Sequence, residues 1–170
     1  TMDPRTIADT EQAIRNLGEK IGASGSAEEI VKKMEADIAS ARESRAGSKR
    51  ASVLVAIQSS PPRAAGPQTF VDEMLKIANA TNVAHDARSG FVTFSKELAV
   101  SRNPEVIIVG SEADREFFRT APAWKTTSAA RNGRVYIINN DLLVRPGPRL
   151  AEGLKQLAEC LNRQPAPGGP

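Results

Sequence analysis

The sequence predicts an α/β fold, in which a small, mostly parallel sheet is covered by helices and preceded by a long helical segment. Short apolar runs at residues 52–57, 105–109 and 135–138 have the composition of strands that are buried on both faces. Amphipathic helical patterns separate these runs, which is typical of βαβ units. The chain before residue 46 has an almost continuous helical pattern. Strands and helices that alternate in this way indicate the α/β class.

The N-terminal segment predicts two helices. In the first, over residues 6–21, isoleucine and leucine recur at helical spacing. Ser26 and Glu29 have the spacing of a capping box, so we expect the second helix to begin there and to end near Arg45.

The α/β part follows a break at residues 46–50. After the first strand, residues 58–66 predict a loop because they are rich in turn-forming residues. Pro67 is expected to begin the next helix, since proline suits the first helical position. Ser95 and Ser111 are predicted to cap two further helices.

The C-terminal part contains a tight turn, a strand, a polar loop and a helix. Asn132 and Gly133 predict the turn because they tolerate a positive φ angle. Pro148 marks the expected start of the last helix. Two charged residues of the loop between strand and helix, Asp141 and Arg145, have no obvious structural role.

In an open α/β sheet of this Rossmann-like kind, ligands bind at the carboxyl ends of the strands. The loops that follow the three predicted strands should gather at that edge: residues 58–66, 110–114 and 139–147. This arrangement places Arg63, Asp141 and Arg145 at a common edge, which is therefore the predicted ligand site.

Composition excludes several function classes. The 23 basic and 20 acidic residues leave a net charge of +3, and they lack the clustering with aromatic residues that nucleic-acid binding requires. A single cysteine, Cys160, excludes a disulfide framework or a multi-cysteine metal site within one chain. There is no glycine-rich phosphate loop, nucleophile elbow or carboxylate pair, so neither an enzyme nor a cofactor is predicted.

A family resemblance rests on four segments spread over residues 48–162. They are residues 65–75 running to 82–84, residues 94–98 followed by 103–109, Trp124 with residues 132–136, and residues 141–149, which end in Arg-Pro-Gly-Pro-Arg. In this order they resemble the C-terminal lobe of class III periplasmic substrate-binding proteins, the cobalamin, ferric-siderophore and haem carriers of ABC importers. Residues 6–46 resemble the long helical region that joins the two lobes in that family.

The resemblance implies roles for five residues. Asp141 and Arg145 match the loop that faces the solute, where a guanidinium suits carboxylates; alternatively they pair with each other and cap the last helix. Arg63 and Phe91 match pocket-lining positions, and the alternatives are a solvated loop arginine and an ordinary core phenylalanine. Glu97 matches a glutamate that pairs with arginines of the membrane permease; alternatively it only stabilises its own helix N-terminus.

Three further residues have simpler explanations than a role in binding. His85 could ligate a metal or haem iron, but a lone histidine in a loop is more often simply solvated. Tyr136 lies within a strand and is expected in the core, and Cys160 is expected to be a semi-buried thiol. No metal site is predicted.

The resemblance implies the solute-binding component of an ABC importer for an iron-chelate, haem or cobalamin-type solute. It would deliver the solute to a permease at the periplasmic or extracellular face of a bacterial membrane. The family's N-terminal lobe has no counterpart in the sequence, so we expect either an excised C-terminal half or a single lobe that pairs with a second copy. The alternative function is a single-lobe interaction module that dimerises or docks without a small ligand. The predicted divisions are a connecting helical segment, a C-terminal α/β lobe and a disordered tail, over residues 1–47, 48–163 and 164–170.

Overall fold

The computed structural model describes residues 4–165, so most of the predicted tail, residues 166–170, lies outside the described residues. The α-helices within the described part are α1 (Ile7–Lys20), α2 (Ser24–Ser44), α3 (Phe70–Ile77), α4 (Lys96–Ser101), α5 (Glu112–Thr120), α6 (Ser128–Arg131), α7 (Asn140–Val144) and α8 (Leu150–Asn162), and Trp124–Thr126 forms a short 3-10 helix. The strands are β1 (Ala51–Ser59), β2 (Pro62–Ala65), β3 (Ala80–Asn82), β4 (Phe91–Thr93), β5 (Val106–Val109) and β6 (Val135–Ile137).

The strands form one sheet in the order β4-β2-β1-β5-β6, with β3 beside the first residues of β1. The β1–β3, β1–β5 and β5–β6 pairs are parallel, whereas β2 runs antiparallel to both of its neighbours. This confirms the predicted α/β fold with a mostly parallel sheet.

Helices cover both faces of the sheet. The side chains of β1 alternate between two apolar clusters, one on each face. Val53 and Val55 pack in the larger cluster with residues of α1, α2, α3, α7 and α8. Leu54 and Ala56 pack in the smaller one with residues of α4, α5 and α6. Trp124 lies in this smaller cluster and packs edge to face on a phenylalanine of α5, with ring centroids 4.5 Å apart.

The first two helices form an antiparallel hairpin that packs on α8 through α2. They approach closely where Gly18 meets Ala27, since a Cβ atom added to the glycine would overlap the Cβ of the alanine. The prediction that Ser26 caps α2 is wrong. Gly22, at φ 71°, and the bond from Ala23 N to Gly18 O reverse the chain directly after α1, so α2 begins two residues earlier, at Ser24.

The predicted loop over residues 58–66 is instead a β-hairpin, in which β1 extends to Ser59 and β2 follows. The reason is tertiary: β3 pairs with only the first three residues of β1, which leaves the rest of that edge to β2. The helix predicted to begin at Pro67 begins at Phe70. Gln68 has a positive φ of 59°, which a helix does not allow, and the hydroxyl of Thr69 provides the N-cap.

Candidate functional site

The carboxyl ends of β1, β5 and β6 meet around one side chain, that of Asn140. Its amide Nδ2 donates to the carbonyl oxygen of Ile57, 3.5 Å away. A Cβ atom added to Gly110, directly after β5, would overlap the same amide group. The ends of three parallel strands thus share one edge, as the sequence predicts. Asn140 itself was not predicted, because its contacts depend on how the strands are ordered.

The two charged residues after β6 lie one turn apart at α7, a short helix that the sequence shows only as a polar loop. Asn139 caps this helix by accepting from the backbone N of Asp141 at 2.9 Å. Arg145 Nε lies 2.9 Å from Asp141 Oδ1, and 74% of the arginine side chain is exposed. The predicted alternative, that the two side chains pair, is therefore observed, although the last helix has Arg149 as its N-cap with no side-chain cap bond among the described residues.

Arg63 and Phe91 are brought together by the antiparallel pairing of β2 with β4. Arg63 lies opposite Thr93 in this ladder, and its Nη2 is 3.5 Å from the carbonyl oxygen of Phe91. The Arg63 side chain is exposed, whereas Phe91 is half-buried and packs against the larger core cluster together with Val144 of α7. The structure therefore shows Phe91 partly in the core and partly at the surface.

A cavity of about 770 Å³ adjoins this edge, a volume typical of small-molecule sites. It lies between the start of α3, the end of α7 and the beginning of α1. Its walls are Pro4, Arg5, Thr6, Gln68, Thr69, Phe70, Asp72, Glu73, Lys76, Ser89, Gly90, Phe91 and Val144. Of the five predicted site residues, Phe91 is a lining residue, and Arg145 directly follows another, Val144.

Asp72 is the buried acid of this cavity, and sequence reasoning missed it. Its carboxylate accepts from Asn82 Nδ2 at 3.0 Å and pairs with Lys76 Nζ at 2.7 Å, while 5% of the side chain is exposed. Glu73 accepts from the backbone N of Ile7 at 2.9 Å, which ties α1 to α3 across the cavity. In the sequence, both acids have the pattern of ordinary residues in the first turn of a helix.

Glu97 lies in the first turn of α4, on the helix that covers the smaller cluster, and it is not among the residues that line the cavity. Its side chain is 76% exposed, and Ser95 Oγ donates to its Oε2 at 3.0 Å. Its own backbone N–H, the Ser95 hydroxyl and Lys96 lower the pKa of the carboxyl. Glu97 is therefore an exposed anion that also stabilises its own helix, so both of its predicted roles are compatible with the geometry.

Three candidate residues, His85, Tyr136 and Cys160, do not line the cavity. His85 is exposed, and its Nδ1 is 3.0 Å from the carbonyl oxygen of Asn82. Tyr136 is half-buried beneath the guanidinium of Arg163, and Cys160 is buried, which raises the pKa of its thiol. Among residues 4–165 there is no group of three His, Cys, Asp or Glu residues that could hold a metal ion.

Charged loops at the ends of parallel strands, with a cavity beside them, form the kind of edge at which open α/β sheets bind ligands. The family model described as periplasmic binding protein matches residues 1–142. The chain belongs to the periplasmic binding protein family.

Individual relatives agree with this membership. The chain is 32% identical over 163 residues to the uncharacterized ABC transporter substrate-binding lipoprotein YvrC of Bacillus subtilis (strain 168). The match covers 94% of this chain and 52% of that protein. It is 31% identical over 107 residues to a cobalamin-binding protein of Halobacterium salinarum (strain ATCC 29341 / DSM 671 / R1), covering 58% of the chain and 29% of that protein. The chain thus spans about half the length of the Bacillus relative.

The fold has a similar counterpart in a solved structure. A possible iron-binding (periplasmic solute-binding) protein from Staphylococcus epidermidis ATCC 12228 superimposes with a TM-score of 0.83 at 28% identity, covering 95% of this chain and 64% of that one. None of the helices within residues 4–165 is both long enough and apolar enough to span a bilayer.

Proposed function

We propose that the chain forms one lobe of the solute-binding component of an ABC importer. It binds an iron-chelate, haem or cobalamin-type solute at the carboxyl edge of its sheet and acts at the periplasmic or extracellular face of a bacterial membrane. The observation that carries this proposal is the placement of Arg145, an exposed cation at the strand-end edge that directly follows a residue of the cavity wall. The names of the Bacillus and Halobacterium relatives support it.

The chemistry of the edge suits a large solute with anionic and apolar parts. Arg63 and Arg145 supply exposed guanidinium groups, which can donate two parallel hydrogen bonds to one carboxylate. Phe91 presents the exposed part of a half-buried ring to the same region. Asp141 would have a positioning role, because its ion pair with Arg145 Nε holds the guanidinium at this edge.

A separate contact would bring the loaded protein to its permease. Glu97 is exposed and has a lowered pKa, so it is an anion at neutral pH that can pair with a permease arginine. The proposed division of the chain into a connecting helical segment over residues 1–47 and a lobe over residues 48–163 fits this role, because the lobe carries both contacts.

A titration tests the solute class. The protein, expressed from its complete reading frame, is titrated with haemin, cyanocobalamin and a ferric hydroxamate siderophore, and binding is followed by absorbance and native mass spectrometry. Saturable one-to-one binding of one of these solutes is expected. Failure of all three to bind would contradict the proposed solute class.

A second function, an interaction module that dimerises or docks, is favoured by exposed apolar side chains of the helical hairpin. Leu17 and Ile21 lie one turn apart on α1 and are 58% and 67% exposed, and Ile30 of α2 is 40% exposed. A second copy or an N-terminal lobe would cover the pair on α1. Light scattering tests the first option, since a strictly monomeric protein at high concentration would contradict dimerisation.

A further inference from the structure

The helix that carries Glu97 has little apolar anchorage of its own. α4 has six residues, of which Ala99 is buried, and Val100 packs partly against the smaller cluster. A helix this short is marginal in isolation, so contacts outside it must fix its orientation. Its first end is tied to β2, because Phe94 is buried and its backbone N donates to the carbonyl oxygen of Pro62. The orientation of α4, and with it that of Glu97, then depends on what holds the other end.

Arg102, the C-cap residue of α4, supplies that anchorage. Its Nη1 and Nη2 donate to Asp86 Oδ1 and Oδ2, both at 2.7 Å, in a bidentate pair. Nη1 also donates to the carbonyl oxygen of Val83, just after β3. The guanidinium lies 5.5 Å from the ring centroid of Phe94, which precedes the helix cap Ser95. One side chain thus joins the segment after β3, the residue after β4 and the end of α4.

This arrangement requires arginine and not merely a positive charge. The planar guanidinium makes two parallel bonds to the carboxylate while lying over an aromatic ring. The ammonium group of lysine cannot make that pair of bonds. Only 22% of the Arg102 side chain is exposed, so the group is held against the protein and does not extend into solvent. The exposed ion pair of α5, Arg115 with Glu112, joins two residues of the same helix.

We propose that Arg102 is a positioning residue for permease docking: together with Asp86 and Phe94 it fixes α4 so that Glu97 faces the permease in one orientation. The inference rests on the proposed docking role of Glu97. It adds a residue at the opposite end of α4, which acts through Glu97 and makes no direct permease contact of its own. Loss of the bidentate pair would leave Glu97 present but free to move with α4.

A double-mutant cycle tests this inference, because a purely structural role would not give the same result. Binding of the solute-loaded protein to its ABC permease in nanodiscs is measured for Glu97→Gln, Arg102→Lys and the double variant. We expect Glu97→Gln to weaken docking about tenfold, the effect of losing a hydrogen-bonded charge. Arg102→Lys should weaken docking by up to the same factor, because it acts only through Glu97. The double variant should be no weaker than Glu97→Gln. Arg115→Lys is the matched control and should dock normally.

The outcomes separate the inference from the proposed function. If Glu97→Gln docks normally, both the docking role and the inference are overturned. If Glu97→Gln weakens docking but Arg102→Lys has no effect, or has an independent effect that adds to it, the inference alone is overturned.

A second variant, Asp86→Asn, removes the ion pair by changing the carboxylate instead of the arginine. It tests the inference even if Arg102→Lys folds poorly. Asp86→Asn should speed amide hydrogen exchange in α4 and leave the exchange of β1 and β5 unchanged. Unchanged exchange in α4 would overturn the inference.

Discussion

At the contact between α7 and α8, a glycine-to-alanine substitution should destabilise the protein, although within a helix it usually stabilises. Gly153 of α8 lies against the backbone of α7, so that an added Cβ would be 2.9 Å from the carbonyl carbon of Leu142 and nearer still to its oxygen. Glycine to alanine within a helix normally stabilises it by about 1 kcal/mol. Here the two helices must separate, because a backbone carbonyl cannot move aside as a flexible side chain can.

The size of the effect follows from opposing contributions. Overpacking a closely packed contact costs about 2–3 kcal/mol, and the helix-propensity gain offsets about 1 kcal/mol of it. Gly153→Ala should therefore lower the free energy of unfolding by about 1–2 kcal/mol. For a chain of this length that corresponds to a fall in Tm of about 2–8 °C.

Urea and thermal unfolding measure this effect, and α2 offers a matched control. Gly25 is also helical and exposed, with nothing within 4 Å of an added Cβ, so Gly25→Ala should be neutral or slightly stabilising. A Gly153→Ala variant at least as stable as the unsubstituted protein would refute the reasoning about the α7–α8 contact.

Two further predictions concern buried and paired charges. Arg45 is only 4% exposed and donates to Asn162 Oδ1 and to two backbone carbonyls. Arg45→Met should therefore lower the free energy of unfolding in urea by about 2–3 kcal/mol. Arg42→Met, on the exposed side of the same helix, should change it little. The hydrogen bond from Arg102 lowers the pKa of Asp86. The pair therefore stabilises the fold above the ordinary aspartate pKa of about 3.9, and this stabilisation is lost as the pH falls through the lower, folded-state value. Between pH 6 and pH 3 the free energy of unfolding, measured in urea, should fall less in Asp86→Asn than in the unsubstituted protein, and an equal fall would contradict this.

Local chemistry is what the sequence predicts well here. The strands after residues 50 and 104 are apolar runs covered on both faces, and such runs occur in few other settings. Ser95 and Ser111 cap their helices as predicted, because an N-cap bond involves only residues three apart. The edge shared by three strand ends also follows from parallel topology alone.

Features that depend on distant contacts could not be predicted. The β2 strand exists because β3 leaves part of the β1 edge unpaired, which no local pattern reveals. The cavity wall combines the start of α1, the start of α3 and Val144 of α7, so Asp72 could not be identified as a buried acid. Whether Asp141, Arg145, Arg63 and Phe91 contact a solute stays a prediction.

The affinity of an Arg145 variant tests the central proposal most directly. Whichever of haemin, cyanocobalamin or the ferric hydroxamate binds, calorimetric titration is repeated with Arg145→Ala and with Arg119→Ala, an exposed arginine of α5 that serves as the control. Removing a charged hydrogen-bond donor to the solute should weaken binding about 10- to 100-fold for Arg145→Ala and leave the control unchanged. Equal affinity for both variants and the unsubstituted protein would contradict a solute site at this edge.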